Sequence, residues 1–93
     1  MSTKKYLRPN GTYFEFTGNL NKKLVVFTHG FGLNYQMWQW LPPTVYNKFD
    51  ILKYDLYGHG KSIAPPCPPS LELFAKQLAE LINYLGYEKA ILV

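Results

Sequence analysis

The chain is short of most of what self-contained side-chain chemistry needs: it has one cysteine, two histidines and six acidic residues among 93. Cys67 has no second cysteine for a disulfide or a zinc-ligand pair, a usage that fits a reducing compartment. His29 and His59 stand thirty residues apart without paired acids, which matches no metal-ligand spacing, so no metal and no cofactor is expected. No Gly-x-Ser-x-Gly occurs. A Ser-His-Asp set would have to come from His29, His59, Asp50, Asp55 and Ser62, without the exposed, strained turn that activates a serine. Apolar runs stop at four or five residues, far below the roughly 20 of a membrane helix. Residues 1–9 hold no signal-peptide core. The expectation is a cytoplasmic protein with no membrane partner.

The formal charge of +4 arises from dispersed cations. Lys4, Lys5 and Arg8 lie at the N-terminus, Lys22 and Lys23 in a turn, and the other lysines singly. With no basic helix face and no aromatic RNA-binding motif, solvated surface lysine is the reading and no nucleic-acid partner is expected. At 47% hydrophobic and 17% charged the chain packs rather than stays disordered. A chain this short buries only about 60–65% of its unfolded surface, so its core is thin.

Asn10-Gly11 between Tyr6-Leu7-Arg8 and the alternating Thr12–Thr17 predicts a hairpin with a two-residue primed turn. Leu24–Thr28 is continuously apolar apart from its last residue, the mark of a strand covered on both faces. Asn34 can cap a helix over Tyr35–Leu41, which Pro42-Pro43 ends, and a helical turn follows over Thr44–Lys48. Asp50–Leu56 reads as the next strand, with Tyr57-Gly58-His59-Gly60-Lys61-Ser62 as a glycine-rich loop after it. Leu71, Phe74, Ala75, Leu78, Leu81, Ile82 and Leu85 form one helical stripe, with Ser70 as N-cap and Gly86 as the left-handed residue past its end. Ala90–Val93 has the composition of another buried strand. Strands alternating with helices predict a doubly wound α/β fold with helices on both faces of a parallel sheet. The thin core and a last strand with nothing to cover it point to a fragment.

Three constellations bear on chemistry. Asp55 to Ser62 ends in Gly-Lys-Ser like a phosphate loop, but Asp55 stands where its first glycine belongs, and Ile63-Ala64-Pro65-Pro66 cannot open the helix that faces a phosphate. In His29-Gly30-Phe31-Gly32 the glycines free the backbone to aim a main-chain N–H into a cleft at the strand's C-terminal end, where it can hold an oxyanion. A tight strand-to-loop turn with a packed His29 accounts for the same residues equally well. Tyr35, Met37, Trp38 and Trp40 either wall a pocket or pack a helix.

In their order these parts resemble the N-terminal portion of the α/β-hydrolase fold superfamily: apolar strand, His29-Gly30-Phe31-Gly32, Trp38, strand ending in Asp55, Gly58-His59-Gly60-Lys61-Ser62, amphipathic helix, apolar strand. The likeness covers Tyr13 to Val93. It implies one domain over residues 1–93, with a hairpin at 5–18 and a βαβαβ core at 24–93. It further implies that Phe31 lends its N–H to an oxyanion hole shaped by His29, Gly30 and Gly32. Asp55, Gly58 and Gly60 would be architectural, and neither histidine the catalytic base. The nucleophile elbow of the family follows the strand that Ala90–Val93 begins, so this chain would lack nucleophile, acid and base and be inactive. The complete form would use serine to hydrolyse a small-molecule acyl substrate such as an ester or thioester. Epoxide hydrolases and haloalkane dehalogenases, with an aspartate nucleophile, usually carry proline or an aromatic residue where this chain has Gly32. Hence the serine esterase and lactonase branch is expected. Two alternatives stand beside it: a non-catalytic module pairing through an open sheet edge, and a nucleotide site at Gly60-Lys61-Ser62.

Overall fold

A computed structural model of the chain describes residues 3–7, 10–18, 20–28, 41–64, 68 and 70–93, the first span as backbone alone. Its five strands, β1 (Thr3–Leu7), β2 (Tyr13–Thr17), β3 (Leu24–Thr28), β4 (Asp50–Tyr54) and β5 (Ala90–Leu92), form one sheet in the spatial order β1-β2-β4-β3-β5. β1 pairs antiparallel with β2 and β2 with β4, whereas β3 runs parallel to both β4 and β5. Helices α1 (Pro43–Lys48) and α2 (Leu71–Tyr84) lie between β3 and β4 and between β4 and β5 in the chain.

The apolar run Leu24–Thr28 and the mixed run Asp50–Tyr54 become the central strands. Every residue of β4 is buried, and so is β3 up to Phe27. Alternate residues supply opposite faces. Leu24, Val26, Leu52 and Tyr54 join Phe14 and Phe16 beneath α2, where Phe74, Leu78, Ile82 and Leu85 pack on them. Val25, Phe27 and Ile51 face the other way, against Leu41, Val45, Tyr46 and Phe49 around α1. Lys53 is buried on that second face: its Nζ donates to the Tyr46 hydroxyl at 2.7 Å and lies 3.5 Å from Glu15 Oε1.

Four readings of the sequence change. The hairpin does not close in two residues, because Leu7 faces Tyr13 across the ladder and residues 8–12 intervene. Asn10 Oδ1 accepts the Thr12 N–H at 3.2 Å around Gly11 at φ +88°, and the fully buried Thr12 hydroxyl accepts from Gln77 Nε2. The loop is thus drawn inward by side-chain bonds rather than folded on Asn-Gly alone. β4 ends at Tyr54, since Asp55 and Leu56 already belong to the following turn. In α2, Phe74, Leu78, Leu81, Ile82 and Leu85 of the predicted stripe pack on the sheet, but Leu71 is 88% exposed and Ala75 is exposed, while Gln77 is buried beside Leu81. Finally, β5 is paired on one side only, so Ile91, Leu92 and Val93 are 45%, 60% and 57% exposed. The expected helix lies outside the described residues except for Leu41, which is irregular.

Both ends of α2 follow their caps. Ser70 Oγ accepts from Leu73 N at 3.1 Å. At the other end Gly86, at φ +90°, donates to Asn83 O at 3.0 Å while Tyr87 N donates to Ile82 O at 3.2 Å, the paired bonds of a Schellman motif. That motif delivers Tyr87 to the sheet's base. Its hydroxyl donates to Asp50 Oδ2 at 2.5 Å and accepts from Leu20 N at 3.2 Å. Its ring meets Phe16 edge-on at 6.0 Å. Burial, reinforced by the Asp50 carboxylate, holds the Tyr87 hydroxyl well above the ordinary tyrosine pKa.

Tyr87→Phe leaves the buried Asp50 carboxylate without this donor, and urea denaturation is expected to show a loss of about 1–3 kcal/mol. The pH dependence has a definite sign. The raised folded-state pKa means that Tyr87 contributes its stability below about pH 10, the unfolded value, and loses it as pH climbs toward the folded one. The difference in stability between the parent chain and Tyr87→Phe should therefore narrow above about pH 10; a difference that stays constant there would refute the coupling.

Candidate active site

Ligands of open α/β sheets collect at the carboxyl ends of the strands, where strand order reverses. Here the reversal is at β3, with β4 on one side and β5 on the other. At this edge Thr28 Oγ1 donates to the Tyr54 hydroxyl at 3.4 Å. Burial raises the Tyr54 pKa, and the Thr28 bond offsets part of that rise. A cleft of about 530 Å³ opens above them, walled by Leu56, Leu71, Phe74 and Leu78.

The turn after β4 forms the floor beside this cleft. Asp55 is fully buried, and its Oδ2 accepts the Lys61 N–H at 2.9 Å. Gly60 has φ +50°, and a Cβ there would stand 2.5 Å from Asp55 Cγ, so the position tolerates only glycine without rearrangement. Gly58, at φ +77°, donates to Ile63 O at 2.7 Å. His59 N donates to Leu56 O and Ser62 N to His59 O. The Ser62 hydroxyl donates to Asp55 O at 2.6 Å and accepts from Tyr13 N at 2.9 Å. His59 Nδ1 lies 3.0 Å from Tyr57 O. The amides of Gly58, His59, Lys61 and Ser62 are thus all engaged within the protein, whereas a phosphate cradle must aim such groups at its ligand.

Asp55, Gly58 and Gly60 come together in this one turn, with Ser62 and His59. Asp50 does not join them, since it stands at the opposite end of β4. His29, Gly30, Phe31 and Gly32, like Trp38, Trp40 and Cys67, lie outside the described residues. Sequence reasoning missed Gln77. Its buried amide donates to Thr12 Oγ1 at 3.0 Å and Asp55 O at 3.1 Å and accepts from Tyr57 N at 3.1 Å, tying α2 to the turn and the hairpin loop. One polar residue in an amphipathic helix gives no signal that it faces inward; only the packing shows it.

Comparison with known proteins adds what the geometry leaves open. A family model described as alpha/beta hydrolase fold matches residues 23–93. The chain belongs to that family. Among curated relatives, this α/β-hydrolase chain is 29% identical over 91 residues to epoxide hydrolase 3 of Xenopus tropicalis, covering 94% of the chain and 25% of the relative. It is 26% identical over 73 residues to 3-oxoadipate enol-lactonase 2 of Acinetobacter baylyi, covering 78% and 27%. Among solved structures, a thermophilic esterase from Thermogutta terrifontis superimposes with a TM-score of 0.77 at 30% identity, covering 99% of this chain and 35% of that one. The α/β-hydrolase chain therefore spans about a quarter to a third of these relatives' lengths.

Three outcomes follow from the turn. Gly60→Ala is expected to cost about 2 kcal/mol or more, from the left-handed backbone and the crowded Asp55 carboxylate, and Gln77→Leu about 3 kcal/mol, from orphaned buried partners; chemical denaturation measures both. ATP with magnesium should leave the melting curve unchanged, because a ligand that binds only the folded state would raise it.

Proposed function

We propose that this chain is the N-terminal part of a serine hydrolase acting on a small carboxylic ester, thioester or related acyl bond. Phe31 supplies one backbone N–H of the oxyanion hole, and His29, Gly30 and Gly32 shape that loop. The observation that carries the reading is the position of β3. It ends at Thr28 at the sheet's carboxyl edge, next to the self-satisfied turn built on Asp55, Gly58 and Gly60, and ligands of such sheets bind at that edge, which supports the reading. Nucleophile, acid, base and second oxyanion donor come from outside these 93 residues. Serine gives its proton to the base and attacks the carbonyl, the N–H groups hold the oxygen as it turns anionic, the alcohol or thiol leaves with that proton, and water hydrolyses the acyl-enzyme to the free acid and the serine.

The likeness to an epoxide hydrolase favours a second reading, in which a carboxylate attacks an epoxide carbon and the full-length protein prefers epoxides to esters. A module without catalysis, pairing through the exposed edge of β5, predicts a stable stoichiometric complex on size exclusion.

The 93-residue chain should not turn over p-nitrophenyl acetate above background. In a full-length hydrolase carrying this segment, Phe31→Pro removes the amide hydrogen and should lower kcat about 10²- to 10³-fold with little change in KM. Equal kcat, or turnover of styrene oxide in place of the ester, would overturn the reading.

A further inference from the structure

Asn10-Gly11 is turn chemistry that the hydrolase reading leaves without a use, and it is the one place in the chain where glycine follows asparagine. Such a pair is reactive in itself. The backbone nitrogen after an asparagine can attack the side-chain amide carbon and close a cyclic imide, and glycine, with no Cβ, obstructs that approach least. Asn19, Asn21, Asn34, Asn47 and Asn83 are followed by leucine, lysine, tyrosine, lysine and tyrosine, whose side chains crowd the nitrogen.

The fold holds the pair ready for that attack. Asn10 Oδ1 accepts the Thr12 N–H at 3.2 Å, so the side chain curls back over the Gly11 peptide and brings its Cγ toward the Gly11 nitrogen. The same bond aims a main-chain donor at the oxygen that turns anionic when the carbon is attacked. Among the described residues none accepts the Gly11 N–H, while the Gly11 carbonyl accepts from Ile63 N at 3.0 Å. The nitrogen is thus not held in a backbone ladder. Asn10 is half-buried, so water reaches it. On its other side Asn10 Nδ2 donates to Glu80 Oε1 at 3.0 Å, a bond that fastens the hairpin loop to α2 about one turn beyond Gln77.

We propose that Asn10 is a self-modification site, deamidating in the folded protein, and that the acid it becomes breaks the tether to Glu80. The Gly11 nitrogen gives its proton to water and bonds to Asn10 Cγ. The Cγ–Nδ2 bond then breaks, and Nδ2 leaves as ammonia after taking a proton from solvent. A water molecule opens the imide at either carbonyl, leaving an aspartyl or an isoaspartyl residue. One water enters, one ammonia departs, and nothing is oxidised or reduced. Two carboxylates then face each other where a donor met an acceptor, and like charges this close repel. The aspartyl product keeps an oxygen for the Thr12 N–H, so the damage falls on the α2 side. The inference stands without the hydrolase reading.

The test is to incubate the full-length protein carrying this segment, folded, in mildly alkaline buffer and to map its peptides by mass spectrometry. Aspartyl and isoaspartyl forms should accumulate at Asn10 ahead of every other asparagine of the segment. A folded protein that keeps Asn10 intact while the same protein in urea loses it would overturn the proposal, as would another asparagine reacting first. Gly11→Ala is no control, because its Cβ would stand 2.2 Å from Ile63 Cγ1 on a backbone at φ +88°. The tether is tested instead by Asn10→Asp, which should lower the urea midpoint of unfolding. Asn10→Asp/Glu80→Gln, in which the glutamine amide donates to the new carboxylate, should recover most of that shift. An Asn10→Asp protein as stable as the parent, or a double variant no more stable than Asn10→Asp alone, would sink the tether.

Discussion

β4 has no solvent side, and the rest of the structure is arranged around that constraint. It is flanked by β2 and β3, covered by α2 on one face and by α1 on the other, and buried at every residue. A strand so placed can leave the core only through segments whose polar groups are bonded internally, since an unpaired buried donor or acceptor costs about 1–3 kcal/mol. At its carboxyl end Asp55, Ser62 and Gln77 meet this need by bonding the turn to itself, to β2 and to α2. At its amino end Asp50 meets it through Tyr87.

These two polar joints divide the labour of the sheet. The carboxyl joint bonds the turn after β4 to β2 and α2, so the sheet's carboxyl edge is built from groups satisfied within the protein. The amino joint engages Asp50 and Tyr87, with the Leu20 amide, in holding the base together. Gln77, in the middle of α2, and Tyr87, just past its C-terminal end, tie this one helix segment to both ends of β4.

Much of this was legible from residue order. The apolar run Leu24–Thr28 read as a covered strand because burial on both faces leaves no polar alternation, and Asp50–Leu56 read as the next strand, though it ends at Tyr54. The Ser70 cap and the Gly86 terminus were legible because each is a local backbone requirement. The turn chemistry of Asn10-Gly11 misled, because tertiary bonds from Gln77 to Thr12 outweigh the local preference. The helical stripe misled at Leu71 for a similar reason. Amphipathic spacing gives a face about 100° wide, and which part of it meets the sheet depends on how the helix sits.

What the amino-acid order determined by itself was the element types, their caps and the family, since these rest on contacts between near neighbours and on motifs carried by the backbone. Only the tertiary structure decided that Gln77 faces inward, that Asp50 and Asp55 serve opposite ends of one strand, and that Lys23 and Lys89 become neighbours. Each of those facts depends on side chains more than twenty residues apart, bonded to one another or to a shared element. Hydrophobic periodicity carries no record of such partners, because it reports how much surface a residue buries and not what it buries it against.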